Sequence, residues 1–259
     1  MSIQASIKSI QNSLQHAPIG HRIIYHSVVT STMDVARQEA EQGVEQGIVV
    51  LAEEQTMARG RFGRRWVSTP GLDLSLSIVL YPDKWACSRL SVATCVAVMR
   101  AIRDLYGLAP TLKWPNDVLI GGKKVSGILV ETIFQDSEVR YAVIGVGINV
   151  NFDPTEDPDN SFQATSLAAE LGRPVQREEV LQAVLTSLGD IYVNLNGWGN
   201  VWEEWQAWME TLGQKVQVHW GEQTEEGFAE GVDGEGNLLL RRADGSVVSL
   251  AAGEVTLQS

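Results

Sequence analysis

The segment Gln55-Thr56-Met57-Ala58-Arg59-Gly60-Arg61-Phe62-Gly63-Arg64-Arg65-Trp66 holds four of the chain's 20 Lys and Arg residues. Guanidinium groups offer forked donors that match the oxygens of carboxylates and phosphates, and Gly60 and Gly63 let the backbone come close to a ligand. Like charges packed this closely need counter-charge, so the segment is expected to take an anion. A second group stands at Lys113-Trp114-Pro115-Asn116-Asp117, with Lys123-Lys124-Val125-Ser126-Gly127-Ile128-Leu129-Val130-Glu131 soon after it. Gly121-Gly122 between them signals a tight turn that brings the two stretches side by side. A lysine beside an arginine loop can neutralise charge developing at phosphorus, which is most of what an enzyme does in transfer to or from phosphate. The third group, Ile144-Gly145-Val146-Gly147-Ile148-Asn149-Val150-Asn151, reads as a strand with glycines where packing favours larger residues. Something is therefore expected to lie against its backbone. The segment lacks the third glycine and downstream acid of a dinucleotide-binding fingerprint, and the chain has no Walker-A motif.

The elements that must position these residues follow from periodicity. Ile3, Ile7, Ile10 and Leu14 recur at helical spacing before the Pro18-Ile19-Gly20 break. Ile23 to His26 reads as a strand, and Ser31-Thr32-Met33-Asp34 has the capping-box form that opens a helix stopping at Gly43. Strands are expected over Ile48 to Glu53, Leu74 to Tyr81, Leu112 to Leu119, Lys124 to Thr132 and Glu138 to Asn149. Helices are expected over Ser88 to Tyr106, ended by Gly107, and over Arg177 to Leu195. Trp198, Trp202, Trp205 and Trp208 share one helical face, the pattern of a core stripe. Beyond Gly213 short strands with turns at Asp233-Gly234 and Asp244-Gly245 suggest a small β-barrel packed on the main domain.

Composition narrows the function classes. With 259 residues and 44% hydrophobic positions, the chain can bury one large core with a small appended domain. A net charge of −12 argues against general attraction to nucleic acid or anionic membrane. Apolar runs such as Val143 to Val150 fall far short of the roughly 20 residues of a membrane-spanning helix. The N-terminus has neither a signal-type apolar stretch nor an Arg-rich transit pattern, so the cytoplasm is the expected location. Cys87 and Cys95 have a spacing that suits one helix and are expected to be packing thiols. His16, His21, His26 and His219 form no zinc-type cluster.

Taken in order, these motifs resemble the biotin protein ligases, also called biotin–[acetyl-CoA-carboxylase] ligases. The resemblance runs from about Arg22 to the C-terminus. It rests on Ser31-Thr32 at the first helix start and on Gln55 to Trp66, similar to that family's GRGRxGRxW signature. It rests equally on KWPNDV at Lys113 to Val118, KKVSGILVE at Lys123 to Glu131 and GINVN at Gly147 to Asn151. It implies an α+β fold with a mixed central sheet flanked by helices, of class II synthetase-like type, and a small C-terminal SH3-like β-barrel. The expected division is a short helical segment at 1–20, a catalytic domain at 21–212 and the SH3-like domain at 213–259.

The implied activity is ATP-dependent: biotin and ATP give biotinyl-5′-AMP, and the biotinyl group passes to a lysine of the biotin carboxyl carrier protein of acetyl-CoA carboxylase. By the resemblance, Ser31, Thr32 and Gln55 bind the ring head of biotin, with Arg59, Gly60 and Arg61 closing over it. Lys124 holds the biotin carboxylate and the α-phosphate. Arg64, Trp66, Asp117 and Asn149 serve ATP, supported by Lys113 and Asn116. Lys124 and Arg61 are the expected catalytic residues. Mg²⁺ is expected on the phosphates, with no ligands identified. Ala58 stands where the family usually has Gly, and Met33 where it usually has Asn. Neither departure touches Arg59, Arg61 or Lys124.

Two other readings concern the same residues: lipoate or octanoate transfer within the same fold superfamily, and a nucleic-acid-binding Arg/Gly box. The first requires a different Gly-rich motif, and the second sits poorly with a single copy in an acidic chain. Residues 1–20 are too few for the helix-turn-helix domain of a ligase that also represses transcription, so a monofunctional enzyme is expected. Monomer and homodimer are both left open.

Overall fold

The computed structural model describes residues 3–153, 164–194, 198–220 and 223–257. Ile3, Ile7, Ile10 and Leu14 bury one side of helix α1 (Gln4–Ser13), as their spacing predicts. There follow β1 (Ile23–Val29), α2 (Thr32–Glu41), β2 (Val49–Gln55) and β3 (Leu74–Leu80). Helices α3 (Lys84–Cys87) and α4 (Leu90–Tyr106) precede β4 (Pro110–Lys113), β5 (Asp117–Ile120), β6 (Lys123–Gln135) and β7 (Glu138–Ile148). Among the described residues these strands form a seven-stranded sheet in the order β1-β2-β3-β7-β6-β5-β4, in which only the β1–β2 pair is parallel.

Strand alternation divides the core between the two sheet faces. Val49, Leu51, Leu74, Leu76, Ile78 and Leu80 pack toward α1, α4 and the later helix α6 (Arg177–Val193), which follows α5 (Leu167–Leu171). Val50, Val79 and Val143 instead meet Met33, Ala36 and Ala40 of α2. The sheet is thus covered on both faces. Helix α4 ends where Gly107 takes φ +66 and its N–H donates to Arg103 O. Trp198, Trp202 and Trp205 stack along α7 (Trp198–Ala207) and, with Trp208 just past its end, pack on the main core.

Two expectations are corrected. The stretch Leu112 to Leu119 is two strands: the chain reverses at Trp114-Pro115-Asn116, through a cis Trp114–Pro115 peptide, and Lys113 pairs with Asp117 across the turn. Pro115 has no N–H to give a ladder, and that is the local reason the strand cannot continue. Cys87 and Cys95 lie on separate helices, because Asp83 caps a short turn ending at Cys87 before α4 begins. Cys95 is buried, whereas Cys87 is half-buried with its thiol 3.2 Å from the Thr132 hydroxyl. Helix α6 ends at Val193, and Leu195 lies outside the described residues.

Strands β8 (Lys215–Trp220), β9 (Gln223–Val232), β10 (Leu238–Arg241), β11 (Val247–Leu250) and β12 (Glu254–Leu257) form an antiparallel sheet in the order β11-β10-β9-β8-β12, the SH3-like unit. Val216, Val218, Ala229, Leu238 and Val255 of this unit join the same buried cluster as the main sheet. Trp114 ties the two together, its backbone N–H donating to Thr211 Oγ1 and its indole N–H to Gly236 O, each at 2.9 Å. No described helix is long and apolar enough to cross a membrane.

Candidate active site

The first wall of the site is the N-terminus of α2. Ser31, extended at φ −155, caps the helix by accepting from Met33 N–H, which satisfies one of the donors a helix start leaves open. Thr32 donates both its backbone N–H (2.8 Å) and its hydroxyl (3.1 Å) to Gln55 Oε1 at the end of β2. Ser77, from the neighbouring β3, donates to the Thr32 hydroxyl at 2.8 Å. Ser31, Thr32 and Gln55 are therefore brought together as expected. Ser77 was missed, since only the Leu-Ser-Leu-Ser alternation of β3 marks it. The carboxylate of Asp34, which the capping-box reading would turn back on the helix start, is engaged by Arg59.

The arginine segment is a small loop closed on itself. Gly60 N–H donates to Arg64 O and Trp66 N–H to Ala58 O, around a single 3₁₀ turn at Arg61–Gly63 in which Gly63 has φ +73. Part of the counter-charge to the segment comes from the protein's own carboxylates. Arg59 reaches Asp34 at 2.7 Å and Glu131 of β6 at 3.3 Å. The Asp34 hydrogen bond, with help from Glu131, raises its pKa above the ordinary arginine value. Arg64 pairs with Glu254 of β12. Arg61 donates to Asn116 Oδ1 and to Gly253 O, both at 3.2 Å. Burial lowers the Arg61 pKa, opposed by the fields of Asp117 and Glu254. Glu254 follows Arg64 by 190 positions, and nothing local in the sequence signals the pairing.

Behind the loop lies a floor made by glycines. Gly127 of β6 pairs with Gly147 of β7, and the Trp66 indole rests on both. A Cβ on Gly147 would stand 2.3 Å from Trp66 Cε2, so only glycine admits the ring there. The group expected against this backbone is thus Trp66, with Met33 playing the same part at Gly145. The Trp66 indole N–H is buried and finds no hydrogen-bond partner among the described residues. Lys124 places Nζ 2.6 Å from Asp117 Oδ1 and 5.5 Å from the Trp66 ring centre. Asn116 Nδ2 holds Ile128 O at 2.6 Å, fixing the β4–β5 turn against β6. Asn149 is buried, with its amide donating to Thr165 O at 3.0 Å, so it orders the chain entering α5.

Ser31, Thr32, Gln55, Arg59, Arg61, Arg64, Trp66, Asn116, Asp117, Lys124 and Asn149, with Lys113 and Gly60, line one cavity of about 630 Å³, a size suited to a small-molecule substrate, while Asp34, Ser77 and Glu131 support it from outside that lining. One end carries the Ser31, Thr32 and Gln55 polar groups, and the other carries Lys113, Asp117, Arg64 and the β12 residues Glu254 and Val255. Under the site, Arg177 is buried and bidentate on Glu53, at 2.8 and 3.2 Å, and also donates to Asp73 O. Asp73 accepts from Thr69 N–H and Val150 N–H, joining the exit of the arginine loop to the end of β7. Burial nevertheless raises its pKa.

Comparison with known proteins gives consistent matches. Residues 25–149 match the Biotin/lipoate A/B protein ligase family, and residues 211–257 match the Biotin protein ligase C terminal domain. The chain is 34% identical to the bifunctional ligase/repressor BirA of Bacillus subtilis, over 93% of this chain and 75% of that protein. It is 35% identical to a biotin–[acetyl-CoA-carboxylase] ligase of Mycobacterium tuberculosis, over 81% of this chain and 78% of that one. Among solved structures, a biotin protein ligase from Aquifex aeolicus in complex with biotin and ATP matches with a TM-score of 0.76 and 29% identity, covering 92% of this chain and 98% of that one.

Proposed function

Because the chain belongs to the biotin protein ligase family, we infer that its cavity activates biotin with ATP and passes the biotinyl group to a carrier lysine. A biotin carboxylate oxygen attacks the α-phosphorus of ATP, pyrophosphate leaves, and biotinyl-5′-AMP remains. The carrier amine then attacks the carbonyl carbon of this mixed anhydride, losing a proton as AMP departs. Neither step needs a protein nucleophile, so catalysis consists of positioning and charge neutralisation. The observation that carries this reading is one cavity lined both by the uncharged polar groups of Ser31, Thr32 and Gln55 and by Lys113, Lys124 and the arginines of the loop.

In the proposal, Ser31, Thr32 and Gln55 take the ring head of biotin, and Arg59, Gly60 and Arg61 close over it. Lys124 bridges the biotin carboxylate and the α-phosphate, while Arg64, Lys113, Asn116, Asp117 and Trp66 serve ATP. Asn149 acts on that end by holding the segment that leads to α5. Mg²⁺ belongs to the same proposal as a partner of the phosphates. Two carboxylates, Asp117 and Glu254, line the phosphate end, a set that fits an ion held mainly by substrate oxygens. Bound there, it would supply neutralisation of phosphate charge. The acceptor is the biotin carboxyl carrier protein of acetyl-CoA carboxylase, the location is the cytoplasm, and 1–20, 21–212 and 213–259 are the three units of the chain.

Arg61 provides the test of the closing loop. Its two hydrogen bonds join the loop centre to the β4–β5 turn and to the SH3-like unit. Charge-assisted bonds are worth about 1.5–3 kcal/mol each, so Arg61→Gly is expected to release the adenylate at least about tenfold faster. With biotin, ATP and serum albumin, the variant is expected to biotinylate the albumin while wild type does not, as read by blotting. Equal, negligible labelling by a variant that still makes adenylate would remove the lid role.

A further inference from the structure

Met33 is the one residue in the Ser31-Thr32-Met33 corner whose side chain has no hydroxyl or amide to offer. It is 4% exposed and lines the cavity beside Leu129 and Gly145. Its Sδ lies 2.7 Å, and its Cγ 3.3 Å, from where a Cβ on Gly145 would stand. In the sheet, Gly145 pairs with Ser77 on one side and Leu129 on the other, and Ser77 is the residue whose hydroxyl holds Thr32. One row of the sheet therefore carries both the hydroxyl that holds Thr32 and the glycine on which Met33 rests, and the missing Cβ at Gly145 is the hollow into which the thioether fits.

We infer that Met33, seated on Gly145, is a specificity-determining residue that sets how large a ring the biotin end of the cavity admits. The inference rests on the proposed placement of the biotin ring beside Ser31, Thr32 and Gln55. An unbranched thioether with three rotatable bonds fills an irregular hollow well and yields when pushed. It contributes no hydrogen bond, so recognition at this end divides into a polar side on Thr32 and Gln55 and a size limit on Met33. A methyl group added at Gly145 cannot share the hollow with Sδ, and the side chain that must move is Met33, toward the cavity.

The test is a crowding and rescue pair, with KM measured separately for biotin and ATP. Gly145→Ala is expected to raise KM for biotin by about tenfold or more, the usual consequence of overfilling a packed site, with KM for ATP little changed. Met33→Ala added to Gly145→Ala returns space to the hollow and is expected to bring KM for biotin most of the way back. Met33→Phe, which enlarges the wall without altering the sheet, is expected to raise the same constant and serves if Gly145→Ala fails to fold. A rise in KM for ATP alone would contradict the placement of biotin at this end. An unchanged KM for biotin in both crowding variants, or a rise that Met33→Ala does not relieve, would overturn the role of Met33 and leave that placement standing.

Discussion

Lys124→Ala is expected to lower biotin-dependent pyrophosphate release by about a hundredfold, the usual loss when one preorganised charge-stabilising donor is removed. Lys124 extends from β6, whose ladders to β5 and β7 fix the backbone, and its carbonyl is held by Thr165 N–H. Its Nζ lies 2.6 Å from Asp117 Oδ1, so the ammonium is already placed and little reorganisation is needed when phosphate arrives. Truncation also leaves the Asp117 carboxylate facing the triphosphate, and like-charge repulsion adds to the loss. Pyrophosphate release unchanged in Lys124→Ala would deny the residue any catalytic role.

The largest stability effect is expected at Arg177, away from the chemistry. Arg177 and Glu53 are 7% and 15% exposed and share two hydrogen bonds, and the same guanidinium satisfies Asp73 O. Arg177→Leu strands a buried carboxylate and a buried carbonyl, which costs about 3–5 kcal/mol, or roughly 10 °C in the melting temperature of a chain this size. Glu53→Leu combined with Arg177→Leu removes both charges and is expected to regain most of the loss. Calorimetry checks both variants. A single variant melting within about 2 °C of wild type would mean that water reaches Glu53 and the pair is not a buried one.

The parts of the fold that the sequence made legible are those fixed by local chemistry. The α1 stripe, the Ser31 cap, the stop at Gly107 and the glycine hairpin between β5 and β6 each depend on residues within a few positions of one another. The β4–β5 reversal was less legible, because Leu112 and Val118 keep an apolar pattern on both sides of the turn and only Pro115 betrays it. In the site, the residue types were readable but their partners were not. Arg59, Arg61 and Arg64 announce an anion, yet Asp34, Glu131 and Glu254 answer Arg59 and Arg64 from three distant elements, and Asn116 and the Gly253 carbonyl hold Arg61. Gly145 and Gly147 announce a close approach, yet whether a ligand or the protein's own Met33 and Trp66 makes it depends on tertiary packing.

The central claim is that this cavity joins biotin to the adenylyl group of ATP. It is tested most directly by incubating the protein with ATP labelled in the α-phosphate and separating the products with biotin, with lipoate, with octanoate and with no acid. The account predicts a labelled biotinyl-5′-AMP and stoichiometric pyrophosphate with biotin alone, and discharge of that adenylate as AMP when a carrier lysine is added. Adenylate formed with lipoate or octanoate in preference to biotin, or no biotin-dependent adenylate at all, would contradict it.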